Sequence, residues 1–256
     1  MTAHLATLTG PEVADVLRAS GTAVIGLGSV EQHGPHLPNG TDTFAAELVA
    51  DAVADRLGAL HVPFAPFGVT PIHAGWSGTV SLRQRTFEAL LTDVCTQLIE
   101  QGTHTVVLVN WHEGNISSMD AVATRLQAER GTTFVAAQAC YVAQRIYAEH
   151  GGELTHGGGI ETLAVLAHDA TLVKLHRAGE ARRPAGAEDM DGIRRSREVY
   201  GYVTDVAELT TEGWYGDPGW ADQERAAGFA GVVADAVVTM VDTVVTARQR
   251  ARHEND

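Results

Sequence analysis

Four short runs of apolar, largely β-branched residues recur along the chain, each separated from the next by a stretch of helical length. This alternation restricts the fold more than any other feature. Thr22–Leu27 (TAVIGL), residues 60–65, residues 105–109 (TVVLV) and residues 133–137 read as buried strands. Between them, residues 43–57, 86–100 and 116–130 place apolar side chains three and four positions apart, as amphipathic helices do. Strands alternating with helices of this length build βαβ units. The expected fold is therefore α/β, with a mainly parallel central sheet flanked by helices on both faces. Residues 177–199 are rich in Arg, Glu, Asp, Gly and Ala and lack apolar periodicity, which predicts a long surface excursion. A last helix is expected over residues 222–250, with the ARHEND tail frayed. Neither a repeat nor a linker divides the sequence, so residues 1–256 are expected to form a single domain.

Composition removes several classes of function. The net charge of −14 argues against a nucleic-acid or anionic-membrane binder, because phosphate surfaces attract basic patches. Cys95 and Cys140 stand alone, which excludes a disulfide framework and a cysteine-rich zinc module. The sequence holds no run of ~20 uninterrupted apolar residues and no apolar N-terminal signal, so a soluble, cytoplasmic protein is expected. GLGSVE after the first strand is not a dinucleotide fingerprint, and a Walker lysine is missing. Ser29 and Ser77 lack the G-x-S-x-G elbow of serine hydrolases. What the sequence has in excess is histidine, with 12 residues.

These histidines gather with carboxylates at strand ends. GSVEQHGPHLPNGTD, residues 28–42, follows the first strand. Glu31 and His33, two apart, share one side of an extended backbone. Asp42 can fold back toward them across a Gly/Pro-punctuated loop. Carboxylate, imidazole and carboxylate form a mixed N/O set suited to Zn²⁺, Mn²⁺ or Fe²⁺. Asp42 could equally be a helix N-cap, and Glu31 and His33 solvated loop residues. NWHEGN ends the third strand, so His112 and Glu113 emerge at the same sheet edge as Glu31, where open α/β sheets bind ligands. There the alternative is that Asn115 caps the following helix. THGGGIETL, residues 155–163, supplies a third cluster, with three glycines between His156 and Glu161 and Glu161 in the first turn of a helix.

Taken together, these segments resemble the creatininase (creatinine amidohydrolase) family. Residues 31–42 are similar to its E-Q-H-G-P-H-L-P…D stretch, NWHEGN to its N-G-H-G-G-N element, and THGGGIET to its H-A-G-x-x-E-T-S element. HAGWSGTVSL (residues 73–82) is similar to F-P-G-T-x-S-L, and GWYGDPGWAD (residues 213–222) to G-x-x-G-D-P-x-x-A. The resemblance implies a creatininase-like three-layer fold and an amidohydrolase with two divalent ions sharing a bridging carboxylate. Glu31, Asp42 and His112 would hold one ion. His33 and the bridging Asp42 would hold the other, with Glu161 as preferred further ligand and Glu113 as the alternative. The family's glutamate two residues after the His112 position is Gly114 in this chain.

Two such ions can lower the pKa of a shared water and polarise an amide carbonyl. His156, if not a ligand, would shuttle the proton to the departing nitrogen. His156 and Glu161 are thus the expected catalytic groups, and Ser77, Trp111, Glu113 and Trp214 candidate substrate contacts. His36 is expected to support the ligands, and His61, His73 and His104 to be structural or solvated. Within the family the substrate could be a small cyclic or linear amide, a formamide of flavin or deazaflavin biosynthesis, or a redox-cofactor precursor peptide. The family resemblance also implies a homo-oligomer, as a hexamer. A non-catalytic metal- or ligand-binding protein on the same scaffold is the alternative of a different class.

Overall fold

The computed structural model describes residues 2–150, 154–196 and 198–253. Five parallel strands form one sheet in the order β1-β3-β2-β4-β5: β1 (Ala3–His4), β2 (Thr22–Leu27), β3 (Leu60–Val62), β4 (Thr105–Asn110) and β5 (Thr133–Gln138). β2 and β4 pair over six rungs, from Thr22 opposite Thr105 to Leu27 opposite Asn110. Their C-terminal ends are therefore level, which brings the segments after them to one edge.

Alternation along each strand sorts the side chains into two cores. Ala23, Ile25 and Leu27 of β2, with Val106 and Leu108 of β4, face one side. Val24, Val107 and Val109 face the other. Both faces are buried, as an all-parallel sheet requires. On the first side lie α1 (Gly10–Ser20), α3 (Gln84–Glu100) and α4 (Ile116–Arg130). On the second lie α2 (Thr41–Leu57), α5 (Ala139–Ile146), α6 (Gly159–Asp169) and α9 (Phe229–His253). The crossover from β2 through α2 runs over one face and leads to β3, whereas α3 carries the chain over the other face to β4. The chain leaving β2 turns toward β3 and the chain leaving β4 turns through α4 toward β5, so a crevice opens between the ends of β2 and β4.

The expected α/β architecture holds, with several differences, and β3 ends at Val62 rather than at residue 65. β1 is a two-residue edge strand with no periodicity to read. The last helix is interrupted: α8 (Gln223–Ala226) starts at Asp222, whose side chain accepts the Arg225 N–H, and a turn at Ala227 and Gly228 precedes α9. α9 continues to His253, so the tail expected to fray is helical that far; residues 254–256 lie outside the described residues.

The largest correction concerns residues 177–199. The segment contains α7 (Ala187–Ser196), with Asp191 buried. Glu188 and Asp189 in its first turn and Arg194 and Arg195 in its last complement the helix dipole. Asp191 reaches Arg194 at 2.8 Å and Arg195 at 3.2 Å. Charge rather than an apolar stripe holds this helix, which is why hydrophobic periodicity does not reveal it. α9 is long and apolar enough to span a membrane by length and composition. Here Phe229, Val233, Val237 and Val241 are buried in the second core, and Asp235 pairs with Arg56 of α2.

Candidate metal centre

Asp42 lies in the first turn of α2 with 2% exposure, but its side chain caps nothing. Its oxygens are instead divided between two histidines. Oδ1 is 3.2 Å from His33 Nε2, and Oδ2 is 2.9 Å from His112 Nδ1 and accepts the Ser29 hydroxyl at 2.8 Å. His33 follows β2 and His112 follows β4, so the level ends of these paired strands deliver both rings to one carboxylate. The capping alternative for Asp42 fails, and so does that for Asn115. The Asn115 side chain instead donates to Gly28 O and accepts from Val69 N, joining three loops beneath the site.

The remaining carboxylates extend the pattern in two directions. Glu31 Oε1 lies 3.5 Å from His112 Nδ1, 3.7 Å from His156 Nδ1 and 3.7 Å from His73 Nε2. Glu161 Oε1 lies 3.7 Å from His33 Nε2, while its Oε2 accepts the Gly157 N–H at 2.5 Å. Glu31, Asp42 and His112 thus form one compact donor group, and His33, His156 and Glu161 a second.

Backbone carbonyls fix the direction of each ring. His33 donates Nδ1–H to Glu31 O (3.0 Å), His112 donates Nε2–H to Val69 O (3.0 Å), and His156 donates Nε2–H to Gln32 O (2.7 Å). Each ring therefore turns its other nitrogen inward. A metal-binding histidine is oriented in this way by its outward N–H. Inward lone pairs aimed at carboxylates need a cation between them. Glu31 Oε2 is buried and has no hydrogen-bond partner among the described residues. These donors fit divalent ions of the zinc, manganese or iron kind.

The electrostatics agree. Burial opposes charge on His33, but Asp42 and Glu161 more than offset it and raise its pKa well above the ordinary value. Burial likewise opposes charge on His112, yet Glu31 and Asp42 push it up to about 9. Asp42 is held far below the usual carboxylate range against its own burial by His33 and His112, while burial raises Glu31. His33 and His112 are thus both disposed to carry positive charge beside Asp42. His156 and His73 go the other way. Burial, then the neighbouring imidazoles, lowers His156 well below its ordinary value and brings His73 to about 3. His156 is thus neutral at pH 7 rather than poised near its unperturbed pKa.

A cavity of about 370 Å³ opens onto the centre, within the usual range of small-ligand sites. Of the expected substrate contacts, Trp111 and Glu113 line it. Trp111 is nonetheless 2% exposed and packs on Phe229. Ser77 and Trp214 do not line the cavity. Ser77 is exposed at the surface. Trp214 is fully buried behind the centre, its ring 4.6 Å from that of His36; a Cβ on Gly34 (φ 74°) would come within 2.6 Å of it. His36 itself donates to or accepts nothing from the carboxylates; its Nε2–H donates to Gly157 O at 2.7 Å, steadying the turn that carries Glu161.

Glu113 is engaged elsewhere. Its oxygens hold Arg194 (2.9 Å), Arg195 (3.1 Å) and the Tyr141 hydroxyl (2.7 Å). Burial would raise its pKa, but the two guanidinium groups bring it to about 2. At position 114 a Cβ would lie 2.1 Å from Val69 O, so the backbone leaves no room for a ligand side chain there. His73, expected to be structural or solvated, instead lines the cavity, as do Tyr141, Arg194, Arg195 and Tyr215, which the sequence reading did not single out. His73 stands in a segment already matched to the family, and its ring lies 4.3 Å from that of His156. For the arginines the available signal was Asp191 with Arg at i+3 and i+4, a helical ion-pair spacing.

A mycofactocin precursor peptide peptidase of Mycobacterium ulcerans is 31% identical over 225 residues, 84% of this chain and 82% of that one. The peptidase of the same name from Mycolicibacterium smegmatis is 36% identical over 112 residues, 41% of this chain, and the match spans 45% of that relative. The crystal structure of creatinine amidohydrolase superposes with a TM-score of 0.75 at 23% identity, covering 94% of this chain and 97% of that one. Creatininase structures of that fold have been solved in Zn–Zn and Mn forms. With the creatinine amidohydrolase family model matched over residues 6–241, the chain belongs to the creatininase family of amidohydrolases.

Proposed function

We propose that the chain hydrolyses an amide, lactam or formamide C–N bond of a small molecule at a centre of two divalent ions, zinc first among zinc, manganese and iron. Glu31, Asp42 and His112 would hold one ion, and His33, Asp42 and Glu161 the other. The division of the Asp42 oxygens between His33 and His112 carries this reading. When bound, such ions polarise a carbonyl and bring the pKa of water toward neutrality.

The chain's own groups do the rest. His156, fixed by its Nε2–H on Gln32 O, keeps its Nδ1 lone pair toward Glu31 and the cavity. As water attacks the carbonyl carbon, Nδ1 takes its proton and then passes it to the nitrogen as the C–N bond breaks. Glu161 is held by Gly157 N–H in the orientation that faces His33. Trp111, Tyr215 and the Glu113–arginine wall enclose the substrate and limit access of bulk water. As for context, we take residues 1–256 as a single domain working in the cytoplasm as a homo-oligomer, with no nucleic-acid partner.

A peptide substrate is the second reading, favoured by the similarity to precursor-peptide peptidases over most of the chain. Metal analysis together with a hydrolysis panel of small amides, lactams, formamides and short peptides separates the two. Chelation should abolish turnover and a divalent ion restore it. Full activity in metal-free protein would overturn the two-ion reading, and a non-catalytic scaffold would hold metal yet turn over nothing in the panel.

A further inference from the structure

Where β1 forms an edge of the sheet, it pairs in parallel with β3 and places His4 directly across from His61. The His61 side chain is 6% exposed, and the two rings meet edge to face at 74° with centroids 4.8 Å apart. α2 runs alongside and presents Glu47 and Asp51, one helical turn apart. His4 Nε2 is 2.9 Å from Asp51 Oδ1, and His61 Nε2 is 3.2 Å from Glu47 Oε2. Between the rings, the two Nδ1 atoms face each other at 3.1 Å. None of these residues lines the cavity described above.

Counting hydrogens exposes a deficit. The arrangement has three polar contacts, Asp51 to His4, His4 to His61, and His61 to Glu47. A ring lone pair does not sit against a carboxylate at these distances, so each Nε2 carries a hydrogen. Neither contact has hydrogen-bond geometry, however, and the buried Asp51 Oδ1 and His61 Nε2 have no hydrogen-bond partner among the described residues. A neutral ring carries one hydrogen. With both placed on Nε2, the two Nδ1 lone pairs are left 3.1 Å apart with no hydrogen between them. One cation is missing. A shared proton would leave two carboxylates against one positive charge, whereas a dication balances them. The 3.1 Å separation is the chord of two metal–nitrogen bonds of ~2.0–2.1 Å meeting at roughly 100°. A carboxylate beside the outer nitrogen of each ring is the usual setting of a histidine ligand.

We propose that His4 and His61 form a separate metal site, binding a zinc-class divalent ion between their Nδ1 atoms, with Asp51 and Glu47 orienting the rings. Water completes the coordination on the side where His4 and Asp51 are half-exposed. The ion ties the two-residue edge strand β1 to β3, closing an edge that two backbone rungs alone hold weakly.

The test compares the full chain with His4→Gln and Asp51→Asn, neither of which touches the central site. Each protein is dialysed against rising free Zn²⁺, and bound zinc per chain and melting temperature are measured. The wild type should bind one equivalent more than His4→Gln at saturation and gain a zinc-dependent rise in melting temperature that the variant lacks. Asp51→Asn should bind that equivalent about 10–100-fold more weakly, the usual cost of losing an orienting partner. Co²⁺ in place of zinc should give a ligand-field band that His4→Gln loses, which distinguishes nitrogen ligation from loose surface binding. Equal zinc in wild type and His4→Gln at every concentration would overturn the proposal and leave a shared proton between the rings.

Discussion

Asp42 serves both halves of the centre at once, and the consequence of neutralising it differs from that of losing a helix cap. Asn is a good capping residue, so a cap would survive Asp42→Asn. A bridging carboxylate would not. Asp42→Asn should stay folded, lose both ions together and lose activity with them. The affinity loss should exceed the ~10–100-fold that loss of an orienting partner costs. Retention of both ions by the purified variant would remove Asp42 from the bridge. His156 and Glu161 are separated by a different comparison. His156→Ala should keep both ions and lower kcat by roughly 10²–10⁴-fold, the usual contribution of a positioned acid–base group. Glu161→Gln should lose occupancy of one ion. Metal content and single-turnover rate on both variants decide it, and metal loss in the His156 variant with retention in the Glu161 variant reverses the roles. The sequence offered these candidate ligands because Glu31, His33, Asp42 and His112 sit in short segments at strand ends. It could not show His73, whose approach to Glu31 depends on how the loop after β3 folds over the crevice.

At the scale of elements, the strands were readable where both faces are buried and the helices where one face is. Both ends of Thr22–Leu27 and of Ile116–Arg130 agree with the structure. α7 was not readable, because Asp191, Arg194, Arg195 and Glu113 hold it through charges that come together only after folding. That attachment has a pH signature. The Glu113 carboxyl lies at about 2 in the folded protein against an ordinary 4.5, so the folded state holds its proton less tightly than the unfolded one. The resulting stability is complete above the unfolded value and is lost as pH falls from about 4.5 toward 2. Its size is on the order of 3 kcal/mol. Chemical denaturation of the wild type should therefore show a falling midpoint across that window, and Glu113→Gln should flatten this limb while lowering stability at pH 7. An identical acid limb in the variant would place the acid sensitivity elsewhere.

Across the whole molecule, the centre draws on parts of the chain that differ in how firmly they are held. Its floor hangs from β2 and β4, paired over six rungs with both faces buried. Part of its wall hangs from α7, whose outer face is exposed and whose attachment is a set of ion pairs. Amide hydrogens in such different settings exchange at different rates, because local opening costs less where little apolar surface is buried. Deuterium uptake should be slowest in β2 and β4 and markedly faster in α7 and the segment after it. Equal protection in the two regions would refute that contrast. If it holds, warming or dilute denaturant loosens the fit around the substrate well before the ligand-bearing strands let go. Damage to the protein should then register first as blurred discrimination between amides, and only later as an enzyme that no longer turns over. The same hierarchy would let changes around α7 redirect the choice of substrate while leaving the floor of the centre in place.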